Sequence, residues 1–141
     1  MIEDESQHFV GKVAQKLILE CDGKILVCRG VGDTLWEFPG GRLNNDGSPK
    51  ENLLREIKEE LGMIIPDAHP FHVSFSIHMQ SNTNRLLVTY HTLVQDDEFV
   101  LDTDELEEAR WIMPEELMVL PIFDETREAG ERFLQLRNSL I

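Results

Sequence analysis

Glu56, Glu59 and Glu60 stand at i, i+3 and i+4 in the string REIKEELG. At about 100° per residue they fall on one stripe of a helix. Like charges at that spacing repel, so something positive should neutralise them. Hard divalent cations take oxygen ligands, and Mg²⁺ is held by few carboxylates together with waters and substrate phosphates. The other reading of the stripe is a solvated helix face on which Lys50, Arg55 and Lys58 are surface partners. The Pro39-Gly40-Gly41 turn just upstream favours the first reading, because a glycine pair lets the backbone come close to both a helix and a ligand.

The helix that would carry these acids has clear ends. Ser48 can cap it, Pro49 suits its first position, Glu51 completes a capping box, and Gly62 is a stop. Leu53, Leu54, Ile57 and Leu61 share one face between Pro49 and Leu61, and that face should be buried. Before the helix, residues 13–20 read as a strand with Val13, Gln15, Leu17 and Leu19 on one side and Ala14, Lys16, Ile18 and Glu20 on the other. Asp22-Gly23 is a two-residue hairpin signal, and residues 25–29 are the returning partner. Residues 35–38 read as a short strand with Trp36 and Phe38 on one side and Glu37 on the other, followed by a loop over 42–47.

After the helix comes a proline-bounded connection, 64–70, and then a second hairpin from 71–79 and 85–94, turning at Ser81 to Asn84. Val73, Phe75, Ile77 and Met79 alternate there with Ser74, Ser76, His78 and Gln80, a polar row that either faces solvent or lines a polar pocket. His78 and His91 read as half-buried strand residues rather than bases. An acidic stretch, 95–108, precedes a strand at 109–112, a short helix begins at Pro114, and residues 123–140 form a last helix with Phe133, Leu136 and Leu140 in register. Met1 to Phe9 is an arm or a short first strand. This order fits an α+β fold rather than regular βα alternation.

With 141 residues the chain is expected to form one domain, 1–141, with a real core. The net charge of -14, from 13 basic and 27 acidic residues, argues against general attraction to nucleic acid or to an anionic membrane. It still allows an anionic substrate if a bound cation mediates. No apolar run reaches the roughly 18 residues of a membrane span, and the acidic start, MIEDESQHF, is unlike a signal peptide. A cytoplasmic setting is the expectation. In the hairpin register Cys21 faces Lys24 and Cys28 faces Leu17, so the two thiols are read as reduced and partly buried.

The stretch from Pro39 to Met63 resembles the Nudix box. Gly41 matches its opening glycine, and Arg55, Glu56, Ile57, Glu59, Glu60, Gly62 and Met63 match its closing block. Trp36-Glu37-Phe38-Pro39-Gly40 resembles the segment that enters the box. The departure is Gly47, which stands where the family has its first Glu, with Asp46 beside it.

The resemblance implies the Nudix fold, a mixed β-sheet sandwiched between helices (α/β/α). It also implies a hydrolase that cleaves the diphosphate linkage of a nucleoside diphosphate derivative, with Mg²⁺ as cofactor and Mn²⁺ as its substitute. Glu56, Glu59 and Glu60 would be the metal ligands. Glu105, a few residues before the Trp111 strand, would be a further catalytic carboxylate, with Glu108 second in line, and the proton of the attacking water would go to Glu56 or Glu105. Arg55 would orient the loop and the carboxylates by bidentate pairing. Gly40 and Gly41 would set the turn against the helix and the substrate. Arg29 would lie near the phosphates or be a surface residue at a strand end, and Arg42 would touch phosphate or pair with the acidic stripe. Asp124 would accept hydrogen bonds from a base or cap the last helix.

Family marks for ADP-sugar and dinucleoside polyphosphate substrates are not seen at residues 77–81, nor is the coenzyme A signature. What remains resembles the small (d)NTP pyrophosphatases that sanitise nucleotide pools. A nucleotide-sugar hydrolase, or a catalytically weak nucleotide-binding Nudix domain, is the alternative. The expected partner is a nucleotide, with neither a membrane nor general nucleic-acid binding, and the chain would be a monomer or homodimer.

Overall fold

The computed structural model describes residues 8–78 and 83–139. Its strands are β1 (Lys12–Cys21), β2 (Lys24–Gly30), β3 (Gly40–Arg42), β4 (His69–His78), β5 (Thr83–Leu93) and β6 (Leu106–Ile112). The helices are α1 (Pro49–Leu61) and α2 (Asp124–Ser139), with a short 3₁₀ helix at Pro114–Met118. β1 is buried without interruption from residue 14 to 19, which marks a strand covered on both faces. It lies inside a sheet of order β4-β5-β1-β2-β6, with β3 also paired to β1. β1 and β5 run parallel and the other pairs antiparallel, so the sheet is mixed, as the family resemblance implies.

The period of two along a strand explains the layers. Leu17 and Leu19 of β1, with Leu26 of β2, pack under Leu53, Ile57 and Leu61 of α1. Ile18, Ile25 and Val27 point the other way, into a cluster with Leu117, Ala129 and Phe133 on the α2 side. Each fully buried Leu or Ile contributes about 1.5–3 kcal/mol relative to exposure, so both helices are held by the same central strands. No helix among the described residues is long and apolar enough to cross a membrane.

The β1–β2 hairpin opens into a wedge. Asp22 and Gly23 both have positive φ, 50° and 79°, as a tight type I′ hairpin turn requires. Cys21 pairs with Lys24 and Glu20 with Ile25, and there the β1–β2 ladder stops. Beyond it the strands part, and residues 37–43 fill the gap. Leu17 N–H donates to Pro39 O at 2.9 Å, Leu43 N–H donates to Val13 O at 2.8 Å, and Cys28 and Glu37 exchange backbone bonds of 2.8 and 2.9 Å. Cys28 therefore faces Glu37 and not Leu17, correcting the hairpin register: a two-residue turn fixes only the pairs beside it. Both thiols are free and buried.

The wedge also relocates a strand. Residues 35–38, expected as a strand, make only the isolated bridges Trp36–Ile122 and Glu37–Cys28. Regular pairing starts at Gly40, where a turn was expected, because the opened edge of β1 offers it hydrogen-bonding groups. Other boundaries shift slightly. β4 starts at His69 in spite of Pro70, which an edge strand with a bulge tolerates. On β4 the apolar Val73 and Phe75 are exposed while Ser74 is buried, so the polar row turns inward at Ser74. α2 starts at Asp124 rather than Phe123, whose carbonyl accepts the first helical bond, from Arg127 N–H at 3.0 Å. Residues 1–7, Met79, Gln80, Ser81, Asn82, Leu140 and Ile141, and the side chains of Ser76, Ile77, His78 and Thr83, lie outside the described residues, so the first arm, most of the 81–84 turn and the Ser76 and His78 readings are not placed.

Gly40 is where the wedge is tightest. Its φ is 149°, and a Cβ there would strike the Gln15 carbonyl and come within 2.9 Å of Lys16 Cα. Gly40→Ala is expected to destabilise the protein by about 2–4 kcal/mol, the sum of backbone strain and overpacking. Urea unfolding measures this, and a loss below about 0.5 kcal/mol, the range of neutral surface changes, would contradict it.

Candidate active site

α1 forms where its sequence predicts, although the capping box is only half made, since the Glu51 carboxylate does not return to the Ser48 N–H. Ser48 Oγ accepts from Glu51 N–H at 3.2 Å, Pro49 leads the first turn, and Gly62 closes the helix at φ 65° with its N–H on Lys58 O. Burial of Leu53, Ile57 and Leu61 fixes the roll of the helix, which turns Glu60 inward to 6% exposure and leaves Glu59 outward. Further ties set its position. Gln15 Nε2 donates to Pro49 O at 2.7 Å, and Gln15 Oε1 accepts from the Tyr90 hydroxyl at 2.8 Å. Asn52 Nδ2 donates to Asn44 Oδ1 at 2.6 Å and to Asp46 O at 3.0 Å, which pins the preceding loop to the helix.

A helix end leaves its last carbonyls without partners. Here the segment before β6 takes them: Val100 N–H donates to Leu61 O and Asp102 N–H to Glu60 O, each at 2.9 Å. That docking delivers Glu105. Carboxylate oxygens of Glu56, Glu60 and Glu105 all lie within 4.8 Å of one another. Gly41 lies against Glu56, since a Cβ on it would stand 3.2 Å from Glu56 Oε2.

Crowding and burial disturb the acids in a consistent direction. Burial, then the Glu105 and Glu56 charges, push the Glu60 carboxyl from about 4.5 up to about 8, against the opposing pull of Lys16 and the Gly40 N–H. Burial, then Glu59 and Glu105, also raise Glu56, while Arg55 and Lys16 oppose. An all-carboxylate cluster of this kind has the donor set of a hard divalent cation, whose charge would reverse these shifts.

The other residues singled out in the sequence are placed as follows. Glu59 stands outside the trio, 3.8 Å from Arg55 Nε. Arg55 Nη1 donates to Asp46 Oδ2 at 3.1 Å and to Asp46 O at 3.4 Å, so it ties the loop to the helix. Gly47 has φ 88°, and a Cβ there would lie 2.9 Å from Glu51 Oε2, so a glutamate in this backbone would be strained. Arg29 is bound up with Glu107 at 2.6 Å and Glu108 at 3.6 Å, over the face of Trp36. Glu108 is shared between Arg110 and Arg29 and is not part of the trio; hydrogen bonding to Arg110 holds its carboxyl down. Arg42 is exposed at the end of β3 and makes no ion pair among the described residues. Asp124 is exposed in the first turn of α2, where it favours the helix dipole but does not occupy the cap. His91 pairs with Glu20 at 2.9 Å and packs on Phe133, on the α2 side.

Lys16, Gln15 and Asn52 were not read as functional from the sequence, yet all three are buried against the site's supports. Their one sequence signal is a polar residue inside a run that is otherwise apolar: Gln15-Lys16 before Leu17-Ile18-Leu19, and Asn52 before Leu53-Leu54.

The sequence pattern of the NUDIX domain matches residues 13–133. The chain is 32% identical over 124 residues to the CTP pyrophosphohydrolase of Escherichia coli (strain K12), a match that covers 85% of this chain and 89% of that one. It is 46% identical to the RNA pyrophosphohydrolase of Marinomonas sp. (strain MWYL1), but over 41 residues, 29% of this chain and 26% of that protein. Among solved structures, the solution structure of the E. coli ORF135 protein superposes with a TM-score of 0.78 at 26% identity, covering 91% of each chain.

The Glu60 shift sets a pH dependence. Between about 4.5 and about 8 the folded chain holds a proton that the unfolded chain has released. This group's contribution to stability is therefore complete below its unfolded pKa and is lost as pH rises through that window. The metal-free protein is expected to melt at falling temperature from about pH 5 to about pH 8, and Glu60→Gln should flatten that slope. Calorimetry of chelator-treated protein checks it; an equal slope in the variant would remove Glu60 as its source.

Proposed function

This chain belongs to the NUDIX domain family, and on that premise we propose that it is a Mg²⁺-dependent pyrophosphohydrolase that releases pyrophosphate from a nucleoside triphosphate. The observation that carries the reading is the Glu56, Glu60 and Glu105 trio, within 4.8 Å and with Glu60 nearly closed to water. The wide coverage of the match to a CTP pyrophosphohydrolase supports a nucleoside triphosphate over a nucleotide sugar and makes CTP the first compound to try.

Glu56, Glu60 and Glu105 would hold a divalent cation, with Glu59 as the outer ligand. When bound, such an ion neutralises charge on the diphosphate and lowers the pKa of water. The chain's own residues do the rest. Gly40 and Gly41 keep the turn thin enough for phosphate oxygens to approach the carboxylates. Glu105, exposed on its turn, is the candidate to take the proton of the attacking water, with Glu56 the alternative. Arg42 is free to meet the outer phosphates, whereas Arg29 would first have to leave Glu107 and Glu108. Arg55 acts at one remove: through Asp46 it joins Asn52 in holding the loop that carries Gly47. That tether argues for an active enzyme over a nucleotide-binding domain without catalysis.

The test is Mg²⁺-dependent pyrophosphate release from a panel of ribo- and deoxynucleoside triphosphates and nucleotide sugars. Turnover of at least one triphosphate is expected, with kcat lowered about 10²–10⁴-fold in Glu105→Gln if it is the base. Removal of a charge-stabilising ligand in Glu60→Gln or Glu56→Gln should cost about 100-fold or more. Turnover of nucleotide sugars alone would move the substrate assignment; no turnover of any compound, with nucleotide still bound, would end the hydrolase proposal.

A further inference from the structure

Lys16 is the one buried cation among the described residues, at 8% exposure. Its neighbours along β1, Leu17, Ile18 and Leu19, are fully buried. An apolar residue would fill such a place without the cost of taking an ammonium out of water. The charge therefore calls for a reason beyond packing.

Its contacts supply one. Lys16 is the register partner of Gly40, and its ammonium reaches Glu37 Oε1 at 3.1 Å. Glu37 is itself fixed by its paired backbone bonds to Cys28. Lys16 thus grips the turn that overlies the carboxylates from both sides, by backbone at Gly40 and by side chain at Glu37. Gly40 lies against Lys16, and the next residue, Gly41, lies against the Glu56 carboxylate, so the turn that Lys16 grips is the one that touches the trio.

We infer that Lys16 is a positioning residue that serves as resident counter-charge to the acidic trio, shared with Glu37, and that it sets how tightly the trio holds a divalent cation. With a fixed positive charge beside it the trio stays assembled without metal, and the ion is held weakly enough to arrive and depart with phosphate oxygens. This rests on the proposed metal-dependent function and deepens it. Glu37 tempers the effect, because it draws the ammonium toward itself and away from Glu60.

The two partners then predict changes of opposite sign. Mn²⁺ binding to the chelator-treated full chain is measured by calorimetry, without nucleotide and without turnover. Lys16→Met should bind Mn²⁺ several-fold more tightly than wild type, and Glu37→Gln several-fold more weakly, while Lys16→Arg should stay close to wild type. Metal-free Lys16→Met should melt at a lower temperature and regain most of the loss at saturating Mn²⁺. A lysine that merely fills space would give Mn²⁺ affinities equal in all four proteins, and that result overturns the inference alone. If Lys16→Met does not fold, Glu37→Gln decides: weaker binding supports the inference and unchanged binding overturns it. If wild type binds no Mn²⁺ even with a nucleoside triphosphate present, the proposed function falls first and this inference with it.

Discussion

A carboxylate almost cut off from water is the constraint that the site is built around. Glu60 is turned inward by the same roll that buries Leu53, Ile57 and Leu61, so its exposure cannot be restored without lifting α1 off the sheet. Burial alone would favour its neutral form. Glu56 and Glu105 press in the same direction, and only Lys16 and one backbone N–H oppose them. Such an arrangement is poorly compensated in a metal-free chain and well compensated once a divalent charge is present, which is the physical content of the metal proposal.

Holding acids together against their repulsion takes rigid supports, and the fold supplies them from separate directions. The opened β1–β2 hairpin admits residues 37–43, and this brings Gly40 and Gly41 against the helix. The carbonyls at the end of α1 capture the segment before β6, and this brings Glu105. Gln15 joins the start of α1 to Tyr90 of β5. The support therefore runs through backbone groups and buried amides rather than through exposed ion pairs, which contribute little.

Gly47 shows how a departure from a family pattern can be absorbed. The backbone there takes a positive φ that suits glycine and penalises most other residues. The neighbouring Asp46 extends to Arg55, and its carbonyl receives both Arg55 and Asn52. The loop is linked to the helix through the residue beside Gly47.

Local signals were enough for α1, whose cap, first proline, stop glycine and apolar face all sit within a short stretch and point to one answer. The Asp22-Gly23 turn and the alternation of β1 were equally legible, for the same reason. The resemblance at the box supplied the acids on the helix and Glu105. The wedge between β1 and β2 could not be read, because pairing of residues 37–43 depends on an edge that exists only after the hairpin has opened. Nor could the inward face of β4, since Val73 and Phe75 look like core in an alternating strand until the sheet places them at an edge. By itself the sequence determined which acids share one stripe of a helix and where that helix starts and stops. Which of those acids meet, which one is buried, and that Lys16 is buried against the Gly40 turn were decided by the tertiary structure, because proximity between distant segments is set by packing and by backbone groups that every residue shares.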